Sequence, residues 1–361
     1  METKSWTYNI DIVGGCNLKC PSCPVGNMPK ANRAKGLMNV EMFEDIIKKI
    51  KQETPNVAYV GVYNWAEPTI HPHLPEMIAI ARRYDVPISL SSNFNTDRNL
   101  EELVRAEPYS FRASVSGYSQ EYYGRTHAKG NIENVKSNMR KLREIMDRLG
   151  SQMEVHVAYH CYKDNMGEEY ESMKALCGEL RFYFLPVFAV FMPVEKMVEY
   201  YEHGEQVLSE SDKRVMDLLA IHPDEYREVS IRQYAPDCEL RSNRTAINWD
   251  GSVALCCGVY DFDNNIAPSF LDTSHEELQK RKYEHPFCDK CMKHGLHATY
   301  LYDGSQQWIQ YAKKRVAPQK IPKELVRAQI LMGWRQRLNR TLGVTAVDKI
   351  VHIARKALFR G

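Results

Sequence analysis

No apolar run in this 361-residue chain approaches the length that crosses a bilayer, and its first residues lack the charged-then-apolar pattern of an export signal. A membrane-spanning or secreted protein is therefore not expected; the cytoplasm is. No Gly-rich phosphate loop of the P-loop or dinucleotide-binding type occurs, which removes the commonest nucleotide-handling chemistries. Nor is there a large excess of one charge: the formal net charge is +2 at pH 7, and no nucleic-acid partner is expected. What asymmetry exists is local. From Lys320 to Gly361 ten Lys/Arg stand against Glu324 and Asp348, a balance of +8 that leaves residues 1–319 at −6. The length suffices for one large α/β domain and a smaller module.

Cysteine is the residue present in quantity, at ten. Without an export signal, thiols serve metals more often than bridges. Three lie in Cys16-Asn17-Leu18-Lys19-Cys20-Pro21-Ser22-Cys23-Pro24, spaced C-x3-C-x2-C, just after Ile10, Ile12, Val13 and the pair Gly14-Gly15. A strand that ends in glycines and releases a thiol-bearing loop suits a metal site at a barrel mouth. Three thiolates are one short of a closed four-ligand site, which leaves a coordination position for chemistry. A zinc knuckle would need a fourth ligand nearby, and the nearest histidine is the distant His71.

This stretch resembles the signature of the radical S-adenosylmethionine (SAM) family. The resemblance implies a [4Fe–4S] cluster on Cys16, Cys20 and Cys23, with SAM chelating the fourth iron. The pattern that follows agrees with an α/β enzyme. Helical faces alternate with apolar strands near 57–62, 87–91, 111–116, 153–159 and 181–187, which together with the first strand make six β/α units. Periodicity alone leaves an open sheet and a barrel equally allowed; the resemblance implies a partial (β/α)6 barrel. Its expected bounds are residues 1–208, with a linker and closing helix over 209–237.

Polar residues at strand ends are the candidate SAM contacts. Asn64-Trp65-Ala66-Glu67-Pro68 looks like a variant of the family's Gly-Gly-Glu-Pro motif, which implies that Glu67 receives the methionyl amine; the alternative is a glutamate facing solvent before a turn proline. The usual glycines are missing from 64–66. Ser91 and Asn93 resemble the family's segment beside the SAM ribose and carboxylate. Ser116 ends the fourth strand, and Arg125 stands where a guanidinium could pair that carboxylate, unless it is a surface arginine. Ser22 replaces the aromatic that many relatives set against adenine. Tyr159 could supply that apolar contact, or be a core residue.

Cys238, Cys256 and Cys288-Asp289-Lys290-Cys291 form a second set, with Trp249–Cys256 reading as a hairpin turn into a strand. Four thiols close a site, and zinc would satisfy the spacing too. Residues 238–295 resemble the SPASM or twitch module of radical SAM enzymes, a small α+β domain, which implies a second, fully ligated [4Fe–4S] cluster. Cys256 or Cys257 could be its ligand; the Gly-x4-Cys spacing favours Cys256. Cys257 is then either an inert thiol or a hydrogen donor to a substrate radical. The resemblance implies reductive cleavage of SAM by an external flavodoxin- or ferredoxin-type reductant. The expected reaction is oxidation of a small polar substrate, sugar- or aminocyclitol-like, with a short peptide still allowed. Epimerisation through Cys257 and a non-catalytic iron–sulfur or zinc protein are the alternatives. In the helical extension 296–361, Val344, Val347, Ile350, Val351, Ala354, Ala357 and Leu358 make an apolar stripe beside basic residues. Docking on the barrel, a partner surface and peripheral membrane contact all fit that stripe.

Overall fold

Six strands alternate with helices through the first half of the chain. In a computed structural model, residues 5–232, 237–317 and 320–342 are described. Strands β1 (Trp6–Ile10), β2 (Val57–Gly61), β3 (Ile88–Ser92), β4 (Ser110–Val115), β5 (Glu154–Cys161) and β6 (Tyr183–Phe188) pair in parallel, neighbour to neighbour. Beyond β1 the same sheet continues through β7 (Arg244–Ile247), parallel to β1, and the antiparallel β8 (Val253–Ala254) and β9 (Asn265–Ala267). The order is β6-β5-β4-β3-β2-β1-β7-β8-β9. The architecture is an unclosed α/β barrel with the second cysteine region growing out of its β1 side.

Side-chain alternation divides each strand between two environments. Tyr8, Ile10, Val60, Leu90, Phe111, Val157 and Tyr159 are buried against the helices. The opposite parity lines the barrel interior and is mainly polar over β1–β5, with Thr7, Asn9, Asp11, Tyr63, Ser91, Arg112, Ser114 and His160, while Ala158 on β5 and Leu185 and Val187 on β6 make it apolar on that side. A parallel sheet covered on both faces normally reads as unbroken apolar strands. Here most of one face is kept polar, which suits a binding lumen.

The helices start where capping predicts. Asn39 Oδ1 accepts from Met42 N at 2.7 Å and opens the helix Val40–Glu53, whose Phe43, Ile46, Ile47 and Ile50 are buried. Asn131 caps Ile132–Leu149, which ends on Gly150 at φ +67°, a left-handed conformation that favours glycine. Ser209 and Asp212 form a capping box on Glu210–Leu218. The helix Lys323–Leu342 packs against the free edge of β6, with Leu325 buried and Lys174 Nζ 2.8 Å from Glu324. It thereby covers an open strand edge. The apolar stripe from Val344 onward lies outside the described residues.

Candidate functional site

The first cysteine loop leaves β1 at the C-terminal mouth of the barrel. Gly14 is required there by packing: a Cβ on it would stand 2.6 Å from the indole nitrogen of Trp249. Cys16, Cys20 and Cys23 are all partly buried. Leu18 N donates to Cys16 Sγ at 3.3 Å, and Cys23 N to Cys20 O at 3.1 Å. Burial pushes Cys16 up to about 12, with the Glu67 carboxylate adding to it; burial pushes Cys23 up to about 11. Burial also raises Cys20, and neighbouring Cys23 and Cys16 add to that. Three thiols that sense one another on one loop fit a cluster held by three cysteines, whose positive irons would stabilise the thiolates.

Glu67 stands behind this loop, 3% exposed. Its Oε1 accepts from Thr69 N at 3.1 Å and from the Thr69 hydroxyl, and its Oε2 from Asn93 N at 2.7 Å. Much of the carboxylate's accepting capacity is thus spent on holding β3's end against the 67–70 turn. Asn93 reaches the loop directly, with Nδ2 2.8 Å from Asn17 Oδ1 and 3.6 Å from Cys16 Sγ. Ser91 lies deeper in the lumen, its hydroxyl accepting from Arg112 Nε at 3.1 Å.

Three candidates are placed elsewhere. Ser116 is buried with its hydroxyl against Thr126 and His127 Nδ1, inside the loop after β4. Arg125 is paired with Glu121 at 2.6 Å and Asp164 at 2.5 Å, so its guanidinium is committed to carboxylates of this chain. Tyr159 is fully buried between Tyr170 and Phe184, on the helix-facing parity of β5. It is a core residue, which corrects the expected adenine contact. Tyr162, three residues on, has its hydroxyl 3.5 Å from Ser22 and shares electrostatics with Cys20.

Asp11 is the residue the sequence did not advertise. It is 1% exposed, and its carboxylate accepts from the amides of Asn64, Trp65 and Ala66 at 2.9, 3.1 and 3.2 Å. The missing glycines of 64–66 acquire a reason here. Trp65 turns outward to the second cysteine region, its indole nitrogen 2.7 Å from Val259 O and its ring edge-on to Tyr260.

That region brings four thiols together. Cys238, Cys256, Cys288 and Cys291 line one void with Val194, Leu255, Phe287, Met292 and Tyr300, and Arg241 and His297 reach the same wall. Its mostly apolar walls and four converging thiols fit a fully ligated cluster better than a substrate site. Cys257 is not among the lining residues. Its side chain meets Arg244, which donates to Thr7 Oγ1 at 3.1 Å and to the Tyr59 hydroxyl at 3.3 Å. Cys256 thus lines the void and Cys257 meets Arg244, while Cys257 stays close enough to Cys256 and Cys238 to add to the rise of both of those thiols. The helix Val194–His203 holds the turn between them and the hairpin, with Val194 N on Gly258 O and Glu195 Oε1 accepting from Tyr260 N at 2.6 Å. Val194, Met197 and Val198 make the buried stripe of this helix.

With this geometry in view, residues 10–165 match the model of the radical SAM superfamily. The chain carries a radical SAM domain. Such a domain implies SAM and one [4Fe–4S] cluster, and superfamily members are enzymes. A curated relative, 7,8-dihydro-6-hydroxymethylpterin dimethyltransferase of Methanocaldococcus jannaschii, is 36% identical over 80 residues, 20% of this chain and 14% of its own. The chain thus spans about one seventh of that relative. Among solved structures, anSMEcpe with bound AdoMet is 14% identical with TM-score 0.54, over 91% of this chain and 98% of that one. SuiB of Streptococcus suis bound to precursor peptide SuiA is 13% identical with TM-score 0.52, over 79% of this chain and 66% of its own. At these identities the likeness is one of fold, and the unclosed barrel is the fold shared.

Proposed function

We propose that this chain is a radical SAM oxidoreductase acting on a small polar substrate held in the barrel lumen, with a SPASM/twitch-type module over residues 238–295. The observation that carries the reading is the placement of Cys16, Cys20 and Cys23 at the mouth of a lumen whose walls are mostly polar. When bound, the cluster and SAM supply a 5′-deoxyadenosyl radical, which takes a hydrogen atom from an unactivated C–H bond. The chain's own residues do the rest. Cys16, Cys20 and Cys23 would hold the first cluster, and Asn93 would fix the loop beside it. Glu67 would anchor the β3 end from which Asn93 reaches, with capacity left for an ammonium. Serine and tyrosine hydroxyls of the lumen would orient the substrate carbon and replace the water it gives up.

Cys238, Cys256, Cys288 and Cys291 would hold a second cluster whose closed coordination suits electron acceptance. The product would then be oxidised by two electrons, as an alcohol to a ketone. The approach of Cys257 to Arg244 favours a second reading, epimerisation, in which that thiol returns a hydrogen atom to the substrate. Anaerobic reconstitution with SAM and dithionite in D2O separates them. A product two hydrogens lighter supports oxidation; an isomer carrying one solvent deuterium supports epimerisation; SAM left intact defeats both.

A further inference from the structure

Arg112 is a lumen cation that the proposed chemistry leaves unused, and unlike Arg244, whose guanidinium is spent on Thr7, Tyr59 and Cys257, it keeps its terminal nitrogens free among the described residues. It lies on β4 at the register of Ser91, one lumen layer below Asn93 and so roughly 7 Å deeper than the residue that touches the cysteine loop. Its Nε donates to Ser91 Oγ at 3.1 Å, and its guanidinium carbon lies 4.9 Å from the centre of the Tyr63 ring. Those two contacts fix the plane of the group. Among the described residues, no carboxylate lies within ion-pair distance of it, and its two terminal nitrogens have no hydrogen-bond acceptor. The contrast with two other arginines is informative. Arg33 is paired with Asp11, and Arg125 with Glu121 and Asp164. The surroundings of Arg112 offer no substitute: His160, next to it on β5, is held neutral, and the nearby Tyr302 is tied to Phe188 O at 3.1 Å. An aimed guanidinium without an anion, facing a mostly polar lumen, is the arrangement that recognises carboxylate or phosphate through two parallel N–H bonds.

We infer that Arg112 is the anion anchor of the substrate site, and that the substrate carries a carboxylate or phosphate group bound at the lumen floor. This rests on the radical SAM reading and names the class of molecule that the site takes. An anion held by Arg112 places the rest of the substrate between the floor and the mouth, where the reacting carbon belongs. It also sets specificity, because an uncharged analogue would leave the guanidinium buried under it without a partner.

The test is equilibrium binding of inorganic phosphate and of propionate to the full chain, read as the ligand-dependent rise of the thermal midpoint at constant ionic strength. Wild type, Arg112→Gln and Arg112→Lys are compared. One of the two probes should bind, and which one identifies the substrate's anion. Arg112→Gln should weaken that probe about tenfold or more, and Arg112→Lys should keep part of the affinity, since one charge remains without the fork. If a variant does not fold, the wild type alone decides: the bound probe should protect Arg112 from phenylglyoxal, read by peptide mass spectrometry. Binding of neither probe, equal affinity in Arg112→Gln, or an unprotected Arg112 overturns the proposal. None of these readouts requires SAM turnover. Wild type that forms 5′-deoxyadenosine but fails them refutes the anchor alone, whereas wild type that leaves SAM intact refutes the enzyme reading itself.

Discussion

Arg33 Nη2 stands 2.7 Å from Asp11 Oδ2, with side chains 4% and 1% exposed. The pair fastens three parts of the chain. Asp11, just past β1, holds the amides of 64–66. Arg33 Nη1 donates to Asn248 Oδ1 at 3.2 Å and to Tyr260 O at 3.1 Å, and its guanidinium lies over the Tyr260 and Phe262 rings. The candidate SAM-contact loop and the second cysteine region are thus set relative to β1 by one ion pair.

Removing one partner leaves the other charge buried. Arg33→Met should cost about 3–5 kcal/mol, measured by chemical denaturation of the cofactor-free protein. The double variant Arg33→Met/Asp11→Leu should recover part of that loss, because no lone charge remains. A single-variant effect below about 1 kcal/mol would mean the carboxylate is satisfied by the three amides alone.

Restoring the family's small residue should harm this chain. Trp65→Gly removes an indole that is 9% exposed together with its bond to Val259 O. The expected loss is about 3–5 kcal/mol or more, with protease sensitivity rising first in residues 256–264. An unchanged denaturation midpoint would show that the two regions do not depend on this contact.

The β/α alternation was legible because apolar strands and capped helices are local signals. Six expected strands appear in the expected order, shifted by a few residues, most of all at the first, where Trp6–Ile10 precedes the Ile12-Val13 expected to extend it. The cysteine spacing was legible for the same reason. Asp11 was not, since an aspartate after a strand looks like any turn residue until the loop it binds comes alongside, some fifty positions later. Tyr159 was misplaced although its parity was readable: it shares the face of Val155 and Val157, whereas His160 and Tyr162 take the other. Trp65 looked like a flaw in a motif because the surface it packs on comes from nearly two hundred residues downstream.

Cys256 and Cys257 should behave differently when iron is counted. Cys256→Ser should lower the iron bound after reconstitution by about four per chain, and Cys257→Ser should leave it unchanged. Equal losses in both variants would mean that the choice of ligand is shared; a loss only in Cys257→Ser would reverse the assignment.

Acid should destabilise the fold through its buried histidines. Burial lowers His127 to about 3, with His160 adding to it; burial lowers His160 to about 4, helped by the charge of Arg112. Unfolded histidine binds a proton near pH ~6.5. Above that value neither state is protonated there, and stability is at its highest for these groups. As pH falls towards 4 only the unfolded chain takes up protons, so stability should drop by several kcal/mol, of order 1.4 per unit for each group. Denaturation midpoints from pH 7.5 to 5 measure it. His127→Gln should flatten the slope, and an unaltered slope would place the protonation elsewhere.

The central claim concerns what the loop at the barrel mouth does with SAM. Anaerobically reconstituted protein, given dithionite and SAM and analysed by chromatography, should form 5′-deoxyadenosine and methionine, and Cys20→Ala should form neither. SAM recovered intact from wild type with its iron in place would contradict the account.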